Sequence, residues 1–194
     1  MATFLLEIGT EELPADFCRL VVPQLKALVN RDFSENRLDH GEVFCSTTPR
    51  RIVLLVSEID SKASDSCIEQ KGPPASQAFI NGVPTKAAIG FAARYSVDVN
   101  ELETRNTPKG EFVFATLIEK GHQSIDLLSV LIPQWIKSLQ GRRFMRWGNG
   151  DRRFSRPIRW LVALMDDCVI PVSLNDSDPK IISTKFSTGH RLNT

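Results

Sequence analysis

The first apolar run, residues 3–8, has the length of a buried strand. Gly9 interrupts it ahead of Pro14, a residue suited to the first turn of a helix. From Pro14 to about Phe33, the residues Phe17, Leu20, Val21, Leu25, Leu28 and Val29 recur at steps of three and four. That spacing predicts an amphipathic helix, kinked or broken at Pro23. Residues 43–46 and 51–59 read as strands on either side of Thr47-Thr48-Pro49. Both faces of the second are largely apolar, which predicts a strand inside a sheet covered on both sides.

Residues 61–74 are polar and turn-rich, the composition of a boundary. Beyond them the pattern predicts helical segments at 74–80 and 84–95, a helical turn at 97–101, and a hairpin formed by 102–106 and 111–118. A helix at 124–139 follows, with Pro133 as a second point of kinking. Residues 158–164 and 169–174 read as a further hairpin. Its alternation sets Trp160, Val162 and Leu164 on one side and Arg159, Leu161 and Ala163 on the other. Phe154 and Trp160 are expected in the core rather than as base-stacking platforms. The expected class is α+β, mixed helices and antiparallel strands in two subdomains, with 1–60 as one unit, 61–73 as a candidate linker and 74–194 as the other.

Charge changes this picture at one place. The net charge is only +1, so any nucleic-acid surface must be local. Residues 142–160 carry Arg142, Arg143, Arg146, Arg152, Arg153, Arg156 and Arg159 against the single carboxylate of Asp151, with Phe144, Trp147, Phe154 and Trp160 among them. Guanidinium forks match phosphate oxygens and lie over rings, so the stretch suits RNA or an acidic protein partner; a solvated strand and turn is the plain alternative. His190 and Arg191, after Thr188-Gly189, form a smaller anion-binding candidate, and Thr47, Thr48, Arg50 and Arg51 a secondary one. Glu11, Glu12 and Asp16 suit a helix start, with reception of a partner's basic groups as another possibility.

Other chemistry is poorly supported. The four cysteines show no CxxC, the three histidines no metal-ligand spacing, and neither GxxxxGK[ST] nor GxSxG occurs. No apolar run approaches the roughly 20 residues of a membrane span. The N-terminus lacks the basic flank of a signal peptide, so a cytoplasmic protein with no membrane contact is expected.

Several ordered motifs together resemble one family. They are FLLEIGTEELPA at residues 4–15, STTPRRIVLLV at 46–56, KGPPASQAFINGVPTKAAIGFA at 71–92, FMRWGNGDRRFSRPIRWLVALMDD at 144–167 and TGHR at 188–191. The chain is similar to the N-terminal part of the beta subunit of bacterial-type, two-subunit glycyl-tRNA synthetase. The resemblance implies a longer subunit with further tRNA-binding domains and a holoenzyme that attaches glycine to its tRNA using ATP. It places ATP and glycine on a catalytic alpha subunit, so this fragment is expected to be noncatalytic and without a cofactor of its own. The implied partners are the alpha subunit and glycine tRNA, in a heterotetramer of two alpha and two beta subunits. No family catalytic residue is carried over, and the arginines stay open between tRNA contact and subunit contact. An editing-like hydrolytic domain acting on mischarged tRNA and a purely structural interaction module are the alternatives.

Overall fold

Alternation along β1 (Ala2–Thr10) puts Phe4, Leu6 and Ile8 on one face, where all three are fully buried. The structure, a computed structural model, describes residues 1–147, 151, 153–174 and 180–189. After β1 come α1 (Ala15–Glu35), β2 (Val43–Thr48), β3 (Arg51–Ile59), β4 (Ser66–Pro74) and a single helical turn, α2 (Ala75–Ala78). The short strands β5 (Phe79–Ile80) and β6 (Val83–Pro84) precede α3 (Lys86–Tyr95). A 3-10 turn at Val99–Glu101 leads to β7 (Glu103–Thr107), β8 (Gly110–Glu119) and α4 (Ser124–Ser138). The last elements are β9 (Met145–Arg146), β10 (Arg153–Phe154), β11 (Ile158–Met165), β12 (Cys168–Val169), β13 (Ser173–Leu174) and β14 (Ile181–Thr184). Helices with antiparallel sheets make up the chain, as the class expected from the sequence requires.

The chain divides into two units, residues 1–64 with 122–194 and residues 65–121. The first is built on a sheet of order β13-β14-β11-β1-β3-β2, with β12 also on β11; every pairing is antiparallel except that of β11 with β14. α1 contributes Phe17, Val21, Leu25, Val29 and Phe33 to its core, and α4 contributes Leu128, Ile132 and Trp135. The fully buried Trp135 ring lies 6.3 Å from Phe4 and 5.9 Å from Phe33, and its Nε1 donates to Asp32 Oδ2 at 2.7 Å. Neither Pro23 nor Pro133 breaks its helix. Buried residues continue on both sides of each proline, and tertiary packing outweighs the local cost. α1 ends where Arg37 turns left-handed at φ 56°, with Leu38 N–H reaching Phe33 C=O and Arg37 N–H reaching Ser34 C=O.

β3 lies inside the sheet, between β1 and β2. Its second face is not covered as expected: Leu55 is 38% exposed and its neighbour Phe44 on β2 is 52% exposed. Leu5 and Leu164 continue this row at half-burial. Periodicity reports that both faces are apolar and is silent on what lies over each. The expected hairpin of 158–164 with 169–174 is also shorter. Only Cys168–Val169 pairs with β11, while β13 pairs with β14.

Residues 65–121 form a three-stranded sheet, β4-β8-β7, with Ala78, Ala88 and Val113 in a small core of their own. A Cβ on Gly72 would stand 2.7 Å from the Phe91 ring, so glycine lets that ring pack on the strand. The Lys71 ammonium lies 3.5 Å from the centre of the Phe112 ring. Arg105 is held by Glu103 and Glu69, each at 2.6 Å, and the Glu103 contact is the larger cause of its raised pKa.

The stretch expected as a linker, 61–73, thus contains most of β4, whose residues pair in register with β8. Polar turn-formers make a strand here because the neighbouring strand satisfies their backbone groups. The chain leaves and re-enters the first unit at adjacent points: Ser124 N–H donates to Ser61 C=O at 2.9 Å and Ala63 N–H donates to His122 C=O at 2.9 Å. Residues 65–121 are therefore an insertion whose ends lie side by side. Replacing them with a short Gly/Ser linker from Ser64 to His122 should leave the first unit folded. A single cooperative urea transition followed by circular dichroism is the expected result, and loss of cooperativity would show that the insertion is needed for folding.

Candidate nucleic-acid interface

The arginine-rich segment is fastened by aromatic packing. Phe144 and Phe154 meet Phe17 of α1 with ring centroids at 5.3 and 5.6 Å, and each other at 5.5 Å. A Cβ on Gly141 would fall 2.5 Å from the Phe144 ring, so the glycine that ends the α4 region also admits this cluster. Phe154 is 1% exposed, a core residue as expected. Trp147 Nε1 donates to Phe154 C=O at 3.0 Å, which closes the β9–β10 ladder.

That ladder places Arg146 directly opposite Arg153. Like charges in a cross-strand pair repel, and Asp151, 3.3 Å from Arg146, is the nearby counter-charge. Arg142, Arg143, Arg146 and Arg153 are all exposed. Among the described residues Arg142, Arg143 and Arg153 have no ion-pair partner, whereas Arg51, Arg105 and Arg159 each face a carboxylate. Arg152, His190 and Arg191 lie outside the described residues.

Arg156 and Arg159 are used within the chain. Arg156 Nε donates to Glu12 C=O at 3.0 Å and its Nη1 to Ser155 C=O at 3.3 Å. Arg159 Nε donates to Glu11 Oε1 at 2.8 Å. Glu11 thus receives a basic group of this chain, and Asp16 is the one acid in the first turn of α1. Simple alternation put Arg159 on the side of Leu161. The register instead shifts between Gly9 and Thr10, which pair with Trp160 and Ile158, so Arg159 is the extra residue of a bulge and is turned out toward Glu11.

A second site forms where four of the sequence motifs converge. A cavity of about 420 Å³ is lined by Glu12 after β1, by Thr48, Pro49, Arg50 and Arg51 at the β2–β3 turn, by Trp160 of β11, and by Thr188 and Gly189. Its frame is backbone: Thr10 N–H donates to Arg50 C=O at 2.9 Å, Leu13 N–H to Pro49 C=O at 2.5 Å, and Glu11 N–H to Pro157 C=O at 3.0 Å. Glu7, 8% exposed within an apolar strand, accepts from Trp160 Nε1 at 2.6 Å and Ser187 Oγ at 2.5 Å, and lies 3.6 Å from Arg51. Arg51 also donates to Thr188 C=O at 2.7 Å, and its guanidinium carbon is 5.8 Å from the Trp160 ring centre. Gly9 supplies the bare backbone beneath that ring, since a Cβ there would lie 1.9 Å from Cε2.

Of the secondary anion candidates, Thr48, Arg50 and Arg51 line this cavity, while Thr47 Oγ1 donates to Cys18 C=O at 3.4 Å. Trp160 is a half-buried wall of the cavity and not the core residue expected. Sequence reasoning missed Glu7 and Gly9 as parts of the site, although a carboxylate and a glycine set inside an otherwise apolar first strand were the signal; Glu12 was expected at a helix start or as a receiver of a partner's basic groups, and it lines the cavity. Burial pushes the Cys45 thiol up to about 11, which keeps it protonated at neutral pH. Among the described residues no group of three or more His, Cys, Asp and Glu side chains is placed to hold a metal ion, and no helix is long and apolar enough to cross a membrane.

Comparison with known proteins adds a family. The family described as "Glycyl-tRNA synthetase beta subunit" matches residues 4–194. The "Glycine--tRNA ligase beta subunit" proteins of Acaryochloris marina and Synechocystis sp. are each 46% identical over 192 residues, covering 99% of this chain. That of Syntrophus aciditrophicus is 40% identical over 188 residues, covering 96% of the chain. In all three cases the chain spans 27% of the relative's own length.

The contact between Gly9 and Trp160 yields a coupled test. Gly9→Ala drives a methyl group into the indole and should cost roughly 1–3 kcal/mol, the usual range for overpacking. In Gly9→Ala with Trp160→Leu the clash is relieved, so urea unfolding of the double variant should show less destabilisation than the sum of the single changes. Additive losses would place the ring elsewhere.

Proposed function

This chain belongs to the glycyl-tRNA synthetase beta-subunit family, and from that premise we propose that its exposed arginines contact the phosphate backbone of glycine tRNA. The observation that carries the reading is the facing pair Arg146 and Arg153, with Arg142 and Arg143 close in sequence. An anion bridging two guanidinium groups relieves their repulsion and receives charge-assisted hydrogen bonds. The aromatic anchor of Phe17, Phe144 and Phe154 holds part of this surface in place before binding, which lowers the ordering cost. Such contacts position RNA without reading its sequence.

In this proposal the chain is a noncatalytic part of a cytoplasmic holoenzyme that joins glycine to its tRNA at the expense of ATP, with ATP handled by the alpha subunit. Assembly with that subunit into a heterotetramer is the second reading. It is favoured by the half-exposed apolar row of Phe44, Leu55, Leu5 and Leu164, a surface of the kind that protein partners cover. The editing-like hydrolytic reading has no comparable observation behind it.

Two measurements test these roles. In the complete alpha–beta assembly, changing Arg142, Arg143 and Arg153 to Ala should weaken tRNA binding across tRNA sequences and lower the log–log salt slope by about 1 for each phosphate no longer neutralised. Unchanged affinity and slope reject the phosphate role, and failed subunit association with intact RNA binding assigns the arginines to assembly. Separately, purified residues 1–194 should show no glycine-dependent pyrophosphate exchange, and adding the alpha subunit should supply it. Exchange by the fragment alone, free of contaminating synthetase, overturns the noncatalytic assignment.

A further inference from the structure

The cavity at the β2–β3 turn is distinct in character from the arginine hairpin. It pairs one aromatic wall with cationic, anionic and hydroxyl groups, and its volume of about 420 Å³ lies at the small end of ligand pockets, which run from about 300 to 1,000 Å³. A duplex does not enter such a space. One planar group with its attached polar substituents does.

The wall is built in advance. Gly9 and Glu7 fix the Trp160 ring from below and at Nε1, and Glu7 with Thr188 C=O holds Arg51 near its face. The buried Glu7 carboxylate that holds this arrangement is satisfied by two hydrogen bonds and the Arg51 guanidinium. Around the wall, Arg50, Glu12 and Thr48 bring side-chain polar groups that have no hydrogen-bond or ion-pair partner among the described residues. Among the described residues of the site, Arg50 and Arg51 stand against Glu7 and Glu12. That composition disfavours a polyphosphate or a simple anion, which would meet Glu12. It suits a ligand carrying a ring to stack, an N–H edge to donate to a carboxylate, and a single phosphate to accept from a guanidinium.

We propose that this cavity takes one unpaired nucleotide of the bound RNA, its base against Trp160 and Arg51, its N–H edge toward Glu12 and its phosphate toward Arg50. Splayed bases stacked on aromatic and guanidinium planes are the general means by which proteins read single-stranded RNA, and a carboxylate accepts from the exocyclic amines of adenine and cytosine. The inference rests on the tRNA reading above. It deepens that reading by assigning base contact to the cavity and backbone contact to the hairpin.

The test uses the complete alpha–beta assembly and glycine tRNA in which 2-aminopurine replaces each unpaired base in turn. Stacking should quench one position on binding, and Trp160→Leu should abolish that quenching and weaken affinity roughly 5- to 100-fold, the range expected for one stacked base. Because Trp160→Leu also removes a donor from Glu7, Arg50→Ala and Glu12→Gln serve as variants that break no side-chain hydrogen bond within the described residues. Each should weaken binding, and Glu12→Gln should do so most for a position bearing an exocyclic amine. No position quenched, or affinity within twofold of the unmodified protein for both Arg50→Ala and Glu12→Gln, overturns the proposal. So does weakened alpha-subunit association in these variants with RNA binding intact. If the hairpin arginines alter the salt slope while the cavity variants change nothing, the cavity inference fails and the tRNA reading stands; if neither set affects RNA, both fail.

Discussion

The central strand β1 is the constraint on which the first unit depends. It is hydrogen-bonded on one side to β3 and on the other to β11, whose residues lie far along the chain: Phe4 pairs with Val56 and with Met165. Until those long-range pairings form, Phe4, Leu6 and Ile8 have no shared surface on which α1 and α4 can bury Phe33 and Trp135. Loop closure over such separations is entropically costly and is offset when the apolar face is covered. The same pairing places the bulge opposite the end of β1, and the bulge decides where Arg159 and Trp160 point.

Both candidate surfaces follow from this frame. The hairpin arginines stand on an aromatic cluster that continues the core through Phe17, so a basic surface is held by apolar burial rather than by charge. The cavity uses the opposite device. A buried carboxylate, Glu7, orients an arginine and a tryptophan, and the glycine two residues on makes room for the ring. The described residues of each surface are thus held by a different physical means, one by packing and one by a hydrogen-bonded ion pair.

Much of the secondary structure was legible in the sequence because it is written in local periodicity. The three- and four-residue steps of α1 and α4, the alternation of β3, and the hairpin of β7 and β8 around Pro108-Lys109 each depend on neighbours within a few positions. β4 was not legible. Its polar residues resemble a boundary, and only pairing with β8, 38 to 53 residues away, makes them a strand. The insertion was hidden for the same reason, since Ser61–Ala63 must meet His122–Ser124 before the chain divides at 65 and 121.

Of function, the sequence by itself determined the concentration of arginines at 142–160, the set of ordered motifs, and the family those motifs define. Composition and order are linear properties, and they survive without a fold. Only tertiary structure decided which arginines are engaged within the chain, as Arg51, Arg146, Arg156 and Arg159 are, and which have no ion-pair partner among the described residues, as Arg142, Arg143 and Arg153. It also gathered Glu12, Thr48, Arg50, Trp160 and Thr188 into one cavity. Partnership and enclosure are properties of distance in space, and residues 12, 50, 160 and 188 become neighbours only after β1, β3 and β11 have paired.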